Sequence, residues 1–208
     1  MITVDVDMRE FDAAMQKYMQ YSKRSFAEAC NQHAYYIARN AVADTVYADK
    51  TAIENKMNSP SNINPNAPLA AILINKQRAT QGKGGLTGDR MKREVEKFIR
   101  IRKSHVNFLR AGWIPAIKKL VAIVPRKSGG ATLPGGVQKS SWNFGDATPA
   151  VESFNPECII QNNVHGKNNE VNKLYKLLAE GISKAIAKET KSMYDYIERK
   201  QQEIINNL

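Results

Sequence analysis

Between Glu10 and Asp44 no glycine or proline interrupts the chain. A stretch of that length without a breaker has few outcomes other than a helix. Phe11, Met15, Tyr18, Ser22, Ser25, Ala29, His33 and Tyr36 step by three and four, and Phe26 and Ile37 widen the stripe. One long helix is predicted, with Ser22 and Ser25 in its stripe pointing to packing against a partner's helix over part of its length. Ahead of it, Ile2, Val4 and Val6 alternate with Thr3, Asp5 and Asp7, the period of a short half-buried strand. Asp7 and Glu10 have capping-box spacing. The other end repeats the theme: Val171, Leu174, Leu178, Ile182, Ala185, Met193 and Ile197 set a helix over Glu170 to Asn207.

The middle is punctuated. Asn55 to Pro68, NKMNSPSNINPNAP, is rich in Asn, Pro and Ser and predicts a loop. Leu69 to Ala79 predicts a short helix. Gln81 to Gly88, QGKGGLTG, predicts a flexible stretch, after which Asp89 can cap a helix through Met91, Val95, Phe98, Ile99 and Ile101. Val106, Leu109, Trp113, Ile117 and Leu120 continue the period, with a kink or break expected at Gly112 and Pro115. Lys127 to Gly145 is rich in Gly and Ser and predicts a mobile or partner-ordered arm. Glu157 to Val164 predicts a strand. Together these readings give an α+β chain: long N-terminal and C-terminal helices packed with a small antiparallel sheet, central basic helices and long mobile loops. It reads as a single domain over residues 1–208, with excursions at 55–68, 80–89 and 126–156.

Charge sorts along this pattern. The formal net charge is +11. Residues 1–50 carry 6 basic and 7 acidic side chains, residues 51–145 carry 17 and 4, and residues 146–208 carry 8 and 9. The middle therefore holds all of the excess, which points to a polyanion or an acidic protein surface as partner. Apolar runs such as Leu69–Ile74 and Leu120–Val124 fall far short of the roughly 20 residues of a membrane helix. The N-terminus lacks the basic start and apolar run of a signal peptide. Cys30 and Cys158 show no disulfide or zinc spacing, so a reducing compartment is the simpler expectation.

Catalytic patterns are not nominated. His33, His105 and His165 have no carboxylate or nucleophile at triad-like spacing. Cys30 and His33 share a helical face, but no second pair completes a four-ligand metal site, and a thiol beside a packed imidazole is the better reading. In QGKGGLTG the leading Gly and trailing Ser or Thr of a Walker loop are replaced by Gln77 and Gly84. Glu94 and Glu96 point to different helical faces. No catalytic, metal-binding or cofactor-binding residue is expected. The candidate surface is basic instead: Arg90, Lys92, Arg93, Lys97, Arg100, Arg102, Lys103, Arg110, Lys118, Lys119, Arg126 and Lys127. Arg93, Lys97 and Arg100 share a face, while Lys92, Lys103 and Arg110 lie elsewhere, so the charge is expected to wrap the helix and suit backbone contact more than base readout. Phe108 and Trp113, at helical spacing with Leu109 and Ile117, are expected in the core.

Three pieces, FLRAGWIPAIKKL from Phe108 to Leu120, IIQNNVHG from Ile159 to Gly166 and MYDYIERK from Met193 to Lys200, resemble structural proteins of tailed bacteriophages. The start, Ile2 to Asp44, is similar to that of the head-tail joining or tail-completion family, in which a strand and long helix precede a small sheet and a second helix packs beside the first. The chain departs from that family where Asp89 intervenes in a loose version of its Thr-Gly and basic motif, Thr87, Gly88 and Arg90, and in its longer middle. The resemblance implies a ring-forming neck or tail protein without catalytic residues or cofactor. It would be located in the virion and assembled in the cytoplasm of the bacterial host. Its partners would be copies of itself and neighbouring neck, portal or tail proteins, with no membrane; in such a ring the basic stretch would face either genomic DNA in the lumen or an acidic neighbouring ring. The alternatives weighed from the residues are a stand-alone basic nucleic-acid-binding protein and, disfavoured by the few acids and histidines of the middle, a metal-dependent nuclease.

Overall fold

A computed structural model describes residues 7–207 apart from 23, 46, 48, 105, 126–128, 136, 138–143, 154 and 164–170, and the side chains of 171–175 are likewise not described. The expected strand Ile2–Val6 lies outside the described residues. The chain forms two compact units, Met1–Val46 with Phe108–Leu208, and Tyr47–Asn107. The second contains both stretches read as excursions at 55–68 and 80–89.

The larger unit is mostly helical with a two-stranded antiparallel sheet. Helices α1 (Arg9–Tyr21) and α2 (Phe26–Asp44) are separate, not the single helix that the uninterrupted period suggests. The backbone of Ser22 is extended, and so is that of Ser25, whose hydroxyl accepts the Glu28 N–H as N-cap of α2. Ser25 and Glu28 have the spacing of a capping box, which favours starting a new helix there over continuing the old one. At the start of α1, Asp7 accepts the Arg9 N–H and pairs with the Arg9 side chain, while Met8 holds the cap position; the capping box expected of Asp7 and Glu10 is not formed.

Further along lie α6 (Phe108–Ala111) and α7 (Ile114–Val121), divided at Gly112 as expected, with Pro115 in the first turn of α7. Strands β1 (Gly145–Thr148) and β2 (Ile159–Asn162) pair with Gly145 opposite Asn162. The long helix here is α8 (Val171–Asn206), which packs along both α1 and α2. It buries Leu178, Ala185, Ile186, Met193 and Ile197 into one core with Ala14, Met15, Ala38, Val42 and Leu120. Small residues on α2, among them Ala29, Ala34, Ala38 and Ala41, all buried, let the helices close.

The C-terminus of α2 is tied down by a side chain counted at the sequence level as surface charge. Arg110 is 7% exposed, donating from Nε to Thr45 O at 2.9 Å and from Nη2 to Ala43 O at 3.0 Å. Those carbonyls end a helix and have no partner within it, and the guanidinium also meets the negative end of the helix dipole. Trp113 Nε1 donates to Thr45 Oγ1 at 3.2 Å and is buried, as the core reading of Trp113 expects. Phe108 is half-buried against the same core. The described part of the Gly/Ser arm packs on α2: Arg39 Nε donates to Ala131 O, Ala131 N–H to Asn40 Oδ1, and Val137 is 1% exposed. These residues are held by their own chain, where a mobile or partner-ordered arm was expected.

The smaller unit packs α3 (Lys50–Asn58), α4 (Leu69–Thr80) and α5 (Gly88–Ser104) around Met57, Ala70 and Ile99. Asp49 caps α3 through the N–H groups of Thr51 and Ala52, so residues 55–58 are helical where a loop was expected. The loop proper is 59–68, closed by a bridge between Pro60 and Pro68. QGKGGLTG is pinned rather than flexible. Asn75 on α4 accepts the Leu86 N–H at 2.8 Å and Arg78 Nε donates to Gly84 O at 2.8 Å. Gly88 itself opens α5 at φ 57, a backbone that favours glycine, and Asp89 stands in the first turn rather than at the cap. Among the described residues no helix is long and apolar enough to cross a membrane.

Candidate cationic interaction surface

The basic residues singled out by charge density do not form one surface. Arg90 to Lys103 lie on α5 of the smaller unit; Arg110, Lys118 and Lys119 belong to the larger one; Arg126 and Lys127 lie outside the described residues. Arg110 leaves the set because it is buried. Lys119 is held at 2.5 Å from Asp146, and its ammonium keeps the Asp146 carboxyl below the ordinary carboxylate range. Lys118 is exposed.

On α5 the cations also sort. The apolar side is Val95, Phe98 and the buried Ile99, packed on α3 and α4. Arg102 lies over the Phe98 ring at 4.6 Å, and Lys103 pairs with Glu54 of α3 at 2.5 Å, so both serve the unit's own packing. Lys92 sits 3.6 Å from Asp89. Arg90, Arg93, Lys97 and Arg100 remain. They recur in steps of three, four and three, which places them on one face, and all four are exposed. None of their side chains makes a hydrogen bond or ion pair with a described residue. The cations without a partner form a stripe opposite the buried side, while Lys92, Arg102 and Lys103 carry charge on other faces of the helix. Ten residues of helix give that stripe a length of about 15 Å.

Glu94 and Glu96 flank the stripe at helical-neighbour spacing without closing an ion pair. Adjacent like charges on a helix cost roughly 0.2–0.5 kcal/mol per pair, and the flanking acids offset part of that. The stripe thus contributes little to holding its own unit together.

The larger unit has one buried titratable pair that spacing could not reveal. His33 on α2 and Glu189 on α8 lie 2.6 Å apart, from Nδ1 to Oε1, with side chains 5% and 4% exposed. The His33 ring meets Tyr18 edge-on at 4.7 Å, and its Nε2 has no partner among the described residues. The nearby Thr190 hydroxyl donates to Ile186 O. This pair fastens α2 to α8 inside the core. Its partners are far apart in the chain, so no local motif could announce it. Cys30, half-buried, faces Pro156 O with Sγ at 3.8 Å. Burial raises the Cys30 thiol and pushes Cys158 to about 11, which leaves both poor nucleophiles. Among the described residues no three His, Cys, Asp or Glu side chains gather as a metal site.

No protein-family model matches the chain, and neither does any curated protein or solved structure.

Proposed function

We propose that this chain is a structural component of a tailed-phage virion, a ring-forming head-tail connector or tail-completion protein of the neck that joins the portal region of the capsid to the tail. It has no catalytic residue and no cofactor in this reading. Its partners are copies of itself and neighbouring neck, portal or tail proteins, and it assembles in the bacterial cytoplasm. The observation that carries the proposal is the stripe of Arg90, Arg93, Lys97 and Arg100, exposed and unpaired among the described residues, on a unit whose own core does not use it. A surface of that kind is built to meet something else.

The resemblance to neck proteins adds the architecture, and the pieces that carry it interlock. Asn162 of IIQNNVHG donates from Nδ2 to Leu109 O of FLRAGWIPAIKKL at 2.7 Å, directly beside Gly112. MYDYIERK lies on α8, where Tyr196 packs on Tyr18 of α1 with ring centroids 4.9 Å apart. The residues of these pieces thus act as scaffold, which suits an assembly part. Electron microscopy of the purified full-length chain tests the proposal. Closed rings of one size support it, and a monomer at every concentration overturns it.

The same stripe favours one other reading, a basic protein that binds nucleic acid alone as a monomer. A monomer that captures duplex DNA and never assembles would select it.

A further inference from the structure

We infer that the stripe on α5 is a contact surface for the phosphate backbone of duplex nucleic acid, read without sequence preference. This rests on the reading that the stripe is an interaction surface, and it names the partner. Four observations carry it. First, Arg90, Arg93, Lys97 and Arg100 are exposed and have no ion-pair partner among the described residues, so no internal contact has to be broken before a phosphate is met. Second, their spacing makes a straight row about 15 Å long with neighbours 5–6 Å apart at Cβ, and long flexible arms can follow a regularly charged strand. Third, Phe98, the aromatic residue of α5, is half-buried beneath Arg102, so the helix offers a base no exposed stacking platform and a single strand is the poorer fit. Fourth, the row is short of the apolar anchors that centre a protein interface. Ile101, 46% exposed, is the large apolar side chain beside it, whereas protein interfaces centre on clustered apolar and aromatic side chains even where arginine contributes. An acidic protein would find complementary charge here but no core to bury.

Contact by four cations has a measurable signature. Each neutralised phosphate of duplex DNA releases bound counterions and contributes about −0.9 to the slope of log affinity against log salt, so four give a slope of about −3.6. Between 50 and 200 mM salt that is a loss of about 150-fold.

The experiment uses the full chain and a fluorescent duplex of mixed sequence, followed by anisotropy across that salt range. Wild type should show the slope near −3.6. Lys97→Gln with Arg100→Gln should bring it near −1.8, a loss of about 12-fold over the same range. Lys92→Gln, off the row, should leave it unchanged. Circular dichroism melts of all variants confirm that the fold persists, and a single Arg93→Gln, expected near −2.7, stands in if the double variant does not fold. The inference is overturned by no binding at 50 mM salt, by a slope indifferent to the row, by tighter binding of a single strand of the same sequence, or by equal capture of poly-glutamate. Ring formation is read independently. Rings that ignore DNA would sink this inference and leave the connector; a DNA-binding monomer would do the reverse.

Discussion

Gly112 stands where α6 passes to α7 and is buried against β2. A Cβ at this position would lie 1.9 Å from Asn162 Oδ1 and 2.4 Å from Asn162 Cγ, far inside any real contact. Gly112→Ala must therefore expel the Asn162 side chain and break its 2.7 Å hydrogen bond to Leu109 O. Leaving that pair unmade costs about 1–3 kcal/mol, and forcing a methyl into a packed site adds about 1–3 kcal/mol. A total of about 2–6 kcal/mol follows, which for a chain of this size lowers the melting temperature by roughly 4–24 °C. The assay is a double-mutant cycle by thermal and urea melts. Asn162→Ala alone should cost about 1–3 kcal/mol through the stranded Leu109 carbonyl. In that background Gly112→Ala finds room and should cost under about 0.5 kcal/mol, giving a coupling well above the additive limit. Additive losses would show that the close approach of Gly112 and Asn162 does not hold this corner together.

Glu189→Ala strands the buried His33 Nδ1 and should cost about 1–3 kcal/mol, whereas Glu189→Gln keeps an acceptor for a ring N–H and should cost clearly less. Equal losses in denaturant melts would show that the hydrogen bond is not what matters there. With its thiol near 11 against an ordinary 9.0, Cys158 should be alkylated about 100-fold more slowly at pH 8 in the folded chain than in urea. The sign also runs through stability: a raised folded pKa favours the native state below pH 9, and that contribution is lost as pH rises through about 11. Alkylation as fast in the native chain as in urea would contradict the burial. Amide exchange followed by mass spectrometry should reach α3, α4 and α5 before α2 and the middle of α8, because the smaller unit rests on Met57, Ala70 and Ile99 while the larger has an extended core. Uniform protection would refute that ordering.

Much of the helical frame is legible in the residues. The stripe from Leu178 to Ile197 marks α8, and Gly112 with Pro115 marks the division of α6 from α7. Where the reading missed, a cap outweighed periodicity or composition. Ser25 and Glu28 stop one helix and start another inside an unbroken apolar period. Asp49 starts α3 ahead of an Asn-rich run that composition alone assigns to a loop. The surface was harder to read, because counting charge cannot tell Arg110, spent on the carbonyls of α2, from Arg100, exposed on α5. Position three residues before Trp113, among core residues, was the one local hint. The pairings of Lys103 with Glu54 and His33 with Glu189 join separate helices, so only the fold brings them together.

We propose an assembly part that presents a cationic row. Negative-stain electron microscopy of the purified full-length protein, imaged beside the Arg93→Gln, Lys97→Gln, Arg100→Gln variant, tests it most directly. Closed rings of uniform size are expected for the wild type. The variant is expected to melt like the wild type and still form rings, but to lose its hold on duplex DNA. Wild-type particles that stay 23.3 kDa monomers at every concentration would contradict it.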